Sequence, residues 1–112
     1  MVDAARLRRT KDIAAVRAKG PGRSDSHFTL RASANDAGVL RVAVSATREL
    51  GTAVRRNRAR RRLREAVRLD LQARSIAPSF DLVLAARKPA HDARVVDLRA
   101  AVAKALDGVF HS

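Results

Sequence analysis

The 112 residues carry 24 lysines and arginines against 11 acids, a net charge of +13 and a pI near 11.8, while 46% are hydrophobic and only three are aromatic. That length suits one domain with a modest core, and the charge selects a polyanion as partner, nucleic acid before an anionic membrane surface. The absence of cysteine excludes disulfides and thiolate metal sites and fits a reducing, cytoplasmic setting.

The N-terminal "MVDAARLRRTKD" mixes acids with bases and has no apolar h-region, so it does not read as a signal peptide. "TKDIAAVRAKGPG" at 10–22 predicts a short helix, with Thr10 as N-cap, Ile13 and Val16 inward, Gly20 at the C-terminal turn and Pro21 preventing continuation. Residues 21–26, "PGRSDS", have loop chemistry with room for a short strand.

"HFTLRAS" then alternates, with Phe28, Leu30 and Ala32 on one face and Thr29, Arg31 and Ser33 on the other. After "NDAG" the alternation resumes with Leu40, Val42 and Val44 against Arg41, Ala43 and Ser45, which predicts a hairpin. A long helix is expected from about Thr52 to Arg74, ended by "SIAPS". "FDLVLAARKP" reads as a strand buried on both faces, in a central or parallel position, and is far too short to span a bilayer. "VVDLRAAVAKALDG" closes the chain as an amphipathic helix with Leu98, Val102 and Leu106 inward and Gly108 at its end. The order α-β-β-α-β-α, plus a short strand near 21–26, makes one α+β domain over residues 1–112.

Seven arginines lie between positions 55 and 64, in "AVRRNRARRRLREAVRL". A GC-rich coding bias accounts for abundant Arg and Ala, but not for this clustering. At about 100° per residue, Ala59, Leu63, Ala66 and Asp70 share a narrow arc, widened by Val67 and Leu69. Asn57, Arg61, Arg64 and Arg68 oppose it, with Arg60 at one border and Arg58 and Arg62 towards the other. A solvated helix face ordinarily mixes signs, yet Glu65 is the only acid between residues 50 and 69. Like charges at i, i+4 destabilise the helix, and phosphate oxygens match the planar fork of arginine, so the stripe points to a phosphate backbone. Without Trp or Tyr, and with Phe28, Phe80 and Phe110 assigned to the core, no base-stacking sheet is available, which favours recognition of a folded RNA by shape and backbone. Gly51 and Thr52 open the helix, where free backbone N–H groups attract anions, and Thr52 serves equally as a plain N-cap.

The string "LGTAVRRNRARRRLREA", residues 50–66, closely resembles the signature of the bacterial ribonuclease P protein subunit: Gly-x-Ala-Val, Arg-Asn-Arg, a basic pair and a later Arg-Glu. Gly51, Ala53, Val54, Arg56, Asn57, Arg58, Arg60, Arg61, Arg64 and Glu65 match it. The resemblance extends to "RLRRTKDIAAVRAKG", "FTLRA", "LRVAVSATRELG" and "DLVLAARKPA", nearly the whole chain. It implies a single-domain α/β sandwich, mostly antiparallel, with a left-handed β-α-β crossover through the arginine-rich helix (ribosomal-protein-S5-domain-2-like). It also implies a partner, the catalytic RNA of ribonuclease P, and a substrate, precursor tRNA, whose 5′ leader is removed by Mg2+-dependent hydrolysis. The RNA carries the chemistry and holds Mg2+, and the protein supplies no catalytic residue and no metal site.

By position, the RNA-binding residues implied are Arg48, Arg55, Arg56, Asn57, Arg58, Arg60, Arg61, Arg64 and Arg68. Arg48 keeps one member of the family's Lys-Lys pair, and Glu49 replaces the other. The implied leader cleft comprises Ile13, Arg17, Thr29 and Arg31, with Ile13 and Arg17 where the family has Phe and Arg31 where an aromatic is common. Arg17 and Arg31 then either line one groove or are both solvated, leaving Ile13 alone to line the cleft.

Two other readings meet obstacles. A ribosomal or other structural RNA-binding protein, without a role in cleavage, has no need for Asn57 among its arginines or for the Gly51–Val54 stretch. A protein-only nuclease needs converging metal ligands, and Asp81, Asp92, Asp97, His27, His91 and His111 show no ligand spacing; they read as surface charges, caps or solvated imidazoles. The helix also has no spare apolar face for a membrane, and nothing suggests a small-molecule substrate.

Overall fold

A seven-residue segment, Phe80–Ala86, apolar but for Asp81, forms the strand around which the chain is arranged in the computed structural model, which describes residues 5–19, 22–74 and 79–110. The strands are β1 (Ala5–Arg6), β2 (Gly22–Ser24), β3 (Phe28–Ala34), β4 (Arg41–Ala46) and β5 (Phe80–Ala86). The helices are α1 (Thr10–Lys19), α2 (Ala53–Gln72), the one-turn α3 (Pro89–Asp92) and α4 (Val95–Phe110), with a 3₁₀ turn at Arg48–Leu50.

The sheet order is β1-β4-β5-β3-β2. β5 runs antiparallel to β3, with Leu30 opposite Leu84, and parallel to β4, with Val42 opposite Leu82. β1 adds parallel to β4 and β2 antiparallel to β3, so parallel and antiparallel pairings are equal in number. The central position expected for β5 is therefore observed, as is the short strand near residues 21–26. The hairpin expected from residues 28–46 is not: β3 and β4 are separated by β5. Their alternating faces specify burial but not which neighbour provides it, and a strand buried on both faces demands a partner at each edge.

Asp81 holds this arrangement together. Its carboxylate, 6% exposed, takes Arg41 Nε at 2.7 Å on one oxygen and the second Arg41 nitrogen at 2.8 Å on the other. Asn35 Nδ2 donates at 2.7 Å to Asp81 Oδ1, the oxygen that also takes Arg41 Nε, and reaches the Val39 carbonyl as well. Asn35 follows the last residue of β3 and Arg41 begins β4, so one carboxylate at the start of β5 clasps both flanking strands. This corrects the surface or capping role expected for Asp81.

Each face of the sheet is covered differently. Phe28, Leu30, Ala32, Leu82, Leu84 and Ala86 pack beneath α2 and α4 with Ala59, Leu63, Val67, Leu71, Leu98, Val102 and Leu106. On the reverse face Val83 meets Leu7 and Val16, with Ile13 and Ala43 beside them. α1 buries little more than Val16, so this side stays thinly covered.

Two local expectations are revised. The N–H of Ile13 donates to the Arg9 carbonyl, so α1 is opened by Arg9 rather than capped by Thr10. α4 continues past Gly108 to Phe110, and Gly108 instead admits Arg23, whose guanidinium donates to its carbonyl at 2.6 Å. A Cβ on Gly108 would come within 2.5 Å of that guanidinium. Phe110 meets Phe80 edge to face at 5.5 Å. The terminators expected at Gly20, Pro21 and residues 75–78 lie outside the described residues.

Asp81→Ala is expected to lower the free energy of unfolding by about 2–4 kcal/mol, because it strands Arg41 and Asn35 at the strand junction. Urea unfolding of the variant beside wild type measures this, and a loss below about 1 kcal/mol would show that the clasp is dispensable.

Candidate nucleic-acid interface

The signature helix is set in place by its first residues. Gly51 takes a φ of +82°, a left-handed conformation that side chains rarely adopt, and so turns the chain out of the 3₁₀ turn. Thr52 follows in extended conformation, and its hydroxyl accepts the Arg55 N–H at 3.2 Å. Of its two readings, the N-cap is the one observed. Ala53 and Val54 are exposed, Val54 by 78%, so these two apolar signature residues contribute nothing to the core.

Ala59, Leu63, Ala66, Val67 and Leu71 form the buried face of α2. Four were expected. Leu71 extends the stripe on the Val67 side, while Leu69 and Asp70 are half-buried at its margin. Arg55, Arg56, Asn57, Arg58, Arg61 and Arg68 are exposed, and Arg60 and Arg64 are half-buried.

These cations are not equivalent. Arg62 donates to the carbonyls of Ala90 (3.2 Å) and Ala93, fastening α3 to α2. Arg58 Nε reaches the His91 carbonyl at 3.4 Å and Arg56 the Ala46 carbonyl at 3.3 Å, both long bonds at exposed positions. Arg60 is turned towards the Asn57 side-chain oxygen, and Arg68 pairs with Glu65 at 2.9 Å. Arg74, with a side chain only 12% exposed, bonds Asp70, Asp107 and the Ala103 carbonyl and lies 5.9 Å from the Phe110 ring centroid. Arg62 and Arg74, neither of them among the RNA-binding residues implied by the sequence, serve the fold, Arg62 through the Ala90 and Ala93 carbonyls and Arg74 through Asp70 one turn back on α2 and Asp107 and Ala103 on α4. Among the described residues Arg55, Arg61 and Arg64 have neither a carboxylate nor a carbonyl partner.

Arg64 is the most constrained of the three. Burial first, then repulsion from Arg6 and Arg60, depresses its pKa below the ordinary arginine value. It lines a cleft of about 160 Å³ together with Arg6, Ile13, Arg17, Ala43 and Ser45. The arginine helix and the first helix thus meet at one opening, with three guanidinium groups and no acid in its wall.

Thr29 and Arg31 lie elsewhere. Arg31 pairs with Val83 across the sheet, which places both residues on the α1 face, and Val83 lines this cleft while Thr29 and Arg31 do not. The Arg31 guanidinium instead lies over Gly22 of β2, within 3.3 Å of where a Cβ would stand. Arg17, beside Ile13, lines this cleft and Arg31 does not.

Arg48 is exposed, and Glu49, the residue that replaces a family lysine, has a structural task. Its carboxylate accepts the Lys88 N–H at 2.8 Å and lies 3.5 Å from Arg87 Nε, latching the 3₁₀ turn to the end of β5. The Lys88 N–H, and next the charge of Arg87, hold its pKa below the ordinary 4.5.

A sequence model of the family described as Ribonuclease P matches residues 1–109. The ribonuclease P protein component of Pelotomaculum thermopropionicum is 33% identical over 100 residues, covering 89% of this chain and 88% of that protein. Those of Chloroflexus aggregans and Caulobacter vibrioides are 43% and 42% identical over 75% and 73% of this chain, which spans 61% and 55% of their lengths. The RNase P protein of Staphylococcus aureus superimposes with a TM-score of 0.78 at 23% identity, covering 96% of both chains. That of Thermotoga maritima gives 0.77 at 24% identity, over 92% of this chain and 96% of its own. At these identities the solved structures speak for the fold.

Because the folded-state pKa of Glu49 is lowered, its latch contributes stability above the unfolded carboxylate pKa and loses it as pH falls through the lowered value. Glu49→Gln is therefore expected to melt below wild type at pH 7, with the gap closing under about pH 4. Thermal unfolding across pH measures the gap, and one that stays constant to pH 3 would contradict a charge-dependent latch.

Proposed function

The chain belongs to the ribonuclease P protein family, and from that premise we infer that it is the protein subunit of a tRNA 5′-maturing endoribonuclease whose catalytic RNA lies along the exposed face of α2. The observation that carries this is the set Arg55, Arg61 and Arg64, held out on a helix fixed by its opposite face, without counter-charge among the described residues. Arg48, Arg56, Asn57, Arg58, Arg60 and Arg68 extend the same surface. Phosphates of a folded RNA satisfy these guanidinium groups and relieve their mutual repulsion.

The 5′ leader of precursor tRNA is assigned to the α1 side of the sheet. Ile13 offers an apolar contact and Arg17 a cation at the cleft that Arg64 shares, while Thr29 and Arg31 lie further along the same face. A single strand crossing this face passes from the cleft directly to the RNA bound on α2. The protein's contribution is positional: it screens phosphate repulsion between the two RNAs and holds the leader in register with the catalytic centre.

On this reading Mg2+ would supply the hydrolytic chemistry from sites on the RNA. Among the described residues no three His, Cys, Asp or Glu side chains come together in a way that could hold a metal ion. No helix among the described residues is long and apolar enough to cross a membrane.

Reconstitution tests this directly. The protein alone is expected to cleave nothing, and protein plus catalytic RNA to cleave precursor tRNA at Mg2+ concentrations too low for the RNA alone. Arg61→Ala or Arg64→Ala should weaken RNA binding by roughly 1–3 kcal/mol and flatten its salt dependence, while Lys104→Ala on α4 should do neither. Cleavage by RNA-free protein, or equal losses at all three positions, would overturn the reading.

A further inference from the structure

A second opening lies on the other flank of α2, where it faces the start of α4. Its cavity is about 270 Å³, near the lower end of ligand-sized pockets (~300–1,000 Å³). Ala66, Leu69, Val95 and Leu98 supply an apolar lining, and Arg58, Arg61, Arg62, Glu65 and Arg99 stand around it. Val95 is 63% exposed and its neighbour Val96 57%, so the first turn of α4 carries apolar side chains that the core does not use.

The charges around the opening divide into committed and uncommitted groups. Arg62 is held by the Ala90 and Ala93 carbonyls, and Arg58 leans on the His91 carbonyl. Glu65, the single acid, is turned to Arg68, which neutralises it. Arg61 and Arg99 have no partner among the described residues. An apolar slot with two unpaired guanidinium groups matches a flat ring joined to an anion.

We propose that this groove between α2 and the first turns of α4 receives one unstacked nucleotide of the partner RNA, its base against Leu69, Val95 and Leu98 and its phosphate between Arg61 and Arg99. The proposal rests on the RNA-binding reading of α2, because Arg61 belongs to both surfaces. Charge complementarity and continuity with that surface favour RNA over a protein segment. An unpaired base in such a slot buries its face on aliphatic side chains, a substitute for the aromatic platform this chain lacks. Arg99, on α4 and outside the signature, then becomes part of the interface.

The test uses the full chain with its catalytic RNA. Relative to wild type, Arg99→Ala is expected to weaken binding roughly five- to tenfold and reduce the salt slope by about one contact. Val95→Asp should weaken it by a similar factor by placing an anion at the slot, and Lys104→Ala should leave it within about twofold. The chain has no cysteine, so Val96→Cys carrying a photo-crosslinker gives a second readout, with labelling expected at one unpaired nucleotide. If Arg99→Ala and Val95→Asp bind as wild type does, or if labelling is absent or spread over paired regions, the nucleotide slot is overturned. Loss of self-association in these variants, with RNA affinity intact, would equally overturn it by assigning the groove to a second copy. Failure of the wild-type protein to bind the RNA at all would instead remove the premise on α2.

Discussion

Everything in this fold depends on β5 lying parallel to β4 while also pairing with β3. A parallel neighbour cannot be reached by a tight turn, so the chain between them must cross the sheet, and α2 is that crossing. Its buried face is then dictated by the sheet, and its opposite face is held at a fixed angle to solvent. Asp81 secures the geometry by gripping Arg41 and Asn35 from the two strands on either side. The positively charged surface is therefore a consequence of strand order, and its rigidity comes from residues remote from it.

The protein sorts its arginines by what they touch. Arg41, Arg23, Arg62 and Arg74 are spent on carboxylates and carbonyls that tie elements together. Arg55, Arg61 and Arg64 are left without such partners among the described residues, although acids such as Asp107 and Asp36 exist elsewhere on the chain. A fold optimised only for its own stability would interleave charges along α2. On the function proposed above, the unsatisfied set is where the free protein gives up stability for an external polyanion.

Much of this was legible in the sequence, because its causes are local. The continuous apolar run placed β5 at the centre, the alternation in β3 gave the inward faces of Phe28, Leu30 and Ala32, and the 3.6-residue period found the buried stripe of α2. The hairpin expectation failed because period-two patterning carries no information on which strand is the neighbour, and the choice was made by β5, some 35 residues further on. The structural roles of Arg62 and Glu49 were hidden for the same reason: their partners, the Ala90 and Ala93 carbonyls and the Lys88 N–H, are distant in sequence. Glu49 looked like a departure from the family's basic pair and is a latch. Arg17 and Arg31 looked like one groove because both lie on the α1 side, yet Arg17 joins Arg64 and Arg6 while Arg31 lies over β2.

The central claim is that the outward guanidinium groups of α2 oppose folding of the free protein and are retained for RNA. Thermal unfolding of RNA-free Arg64→Gln tests it most directly, since Arg64 is pressed by Arg6 and Arg60 and by burial. Relief of like-charge repulsion worth a few tenths of a kcal/mol predicts a melting temperature about 1–3 °C above wild type at low salt, shrinking as salt is added. A melting temperature below wild type, unaffected by salt, would mean that Arg64 serves the fold and would contradict the account.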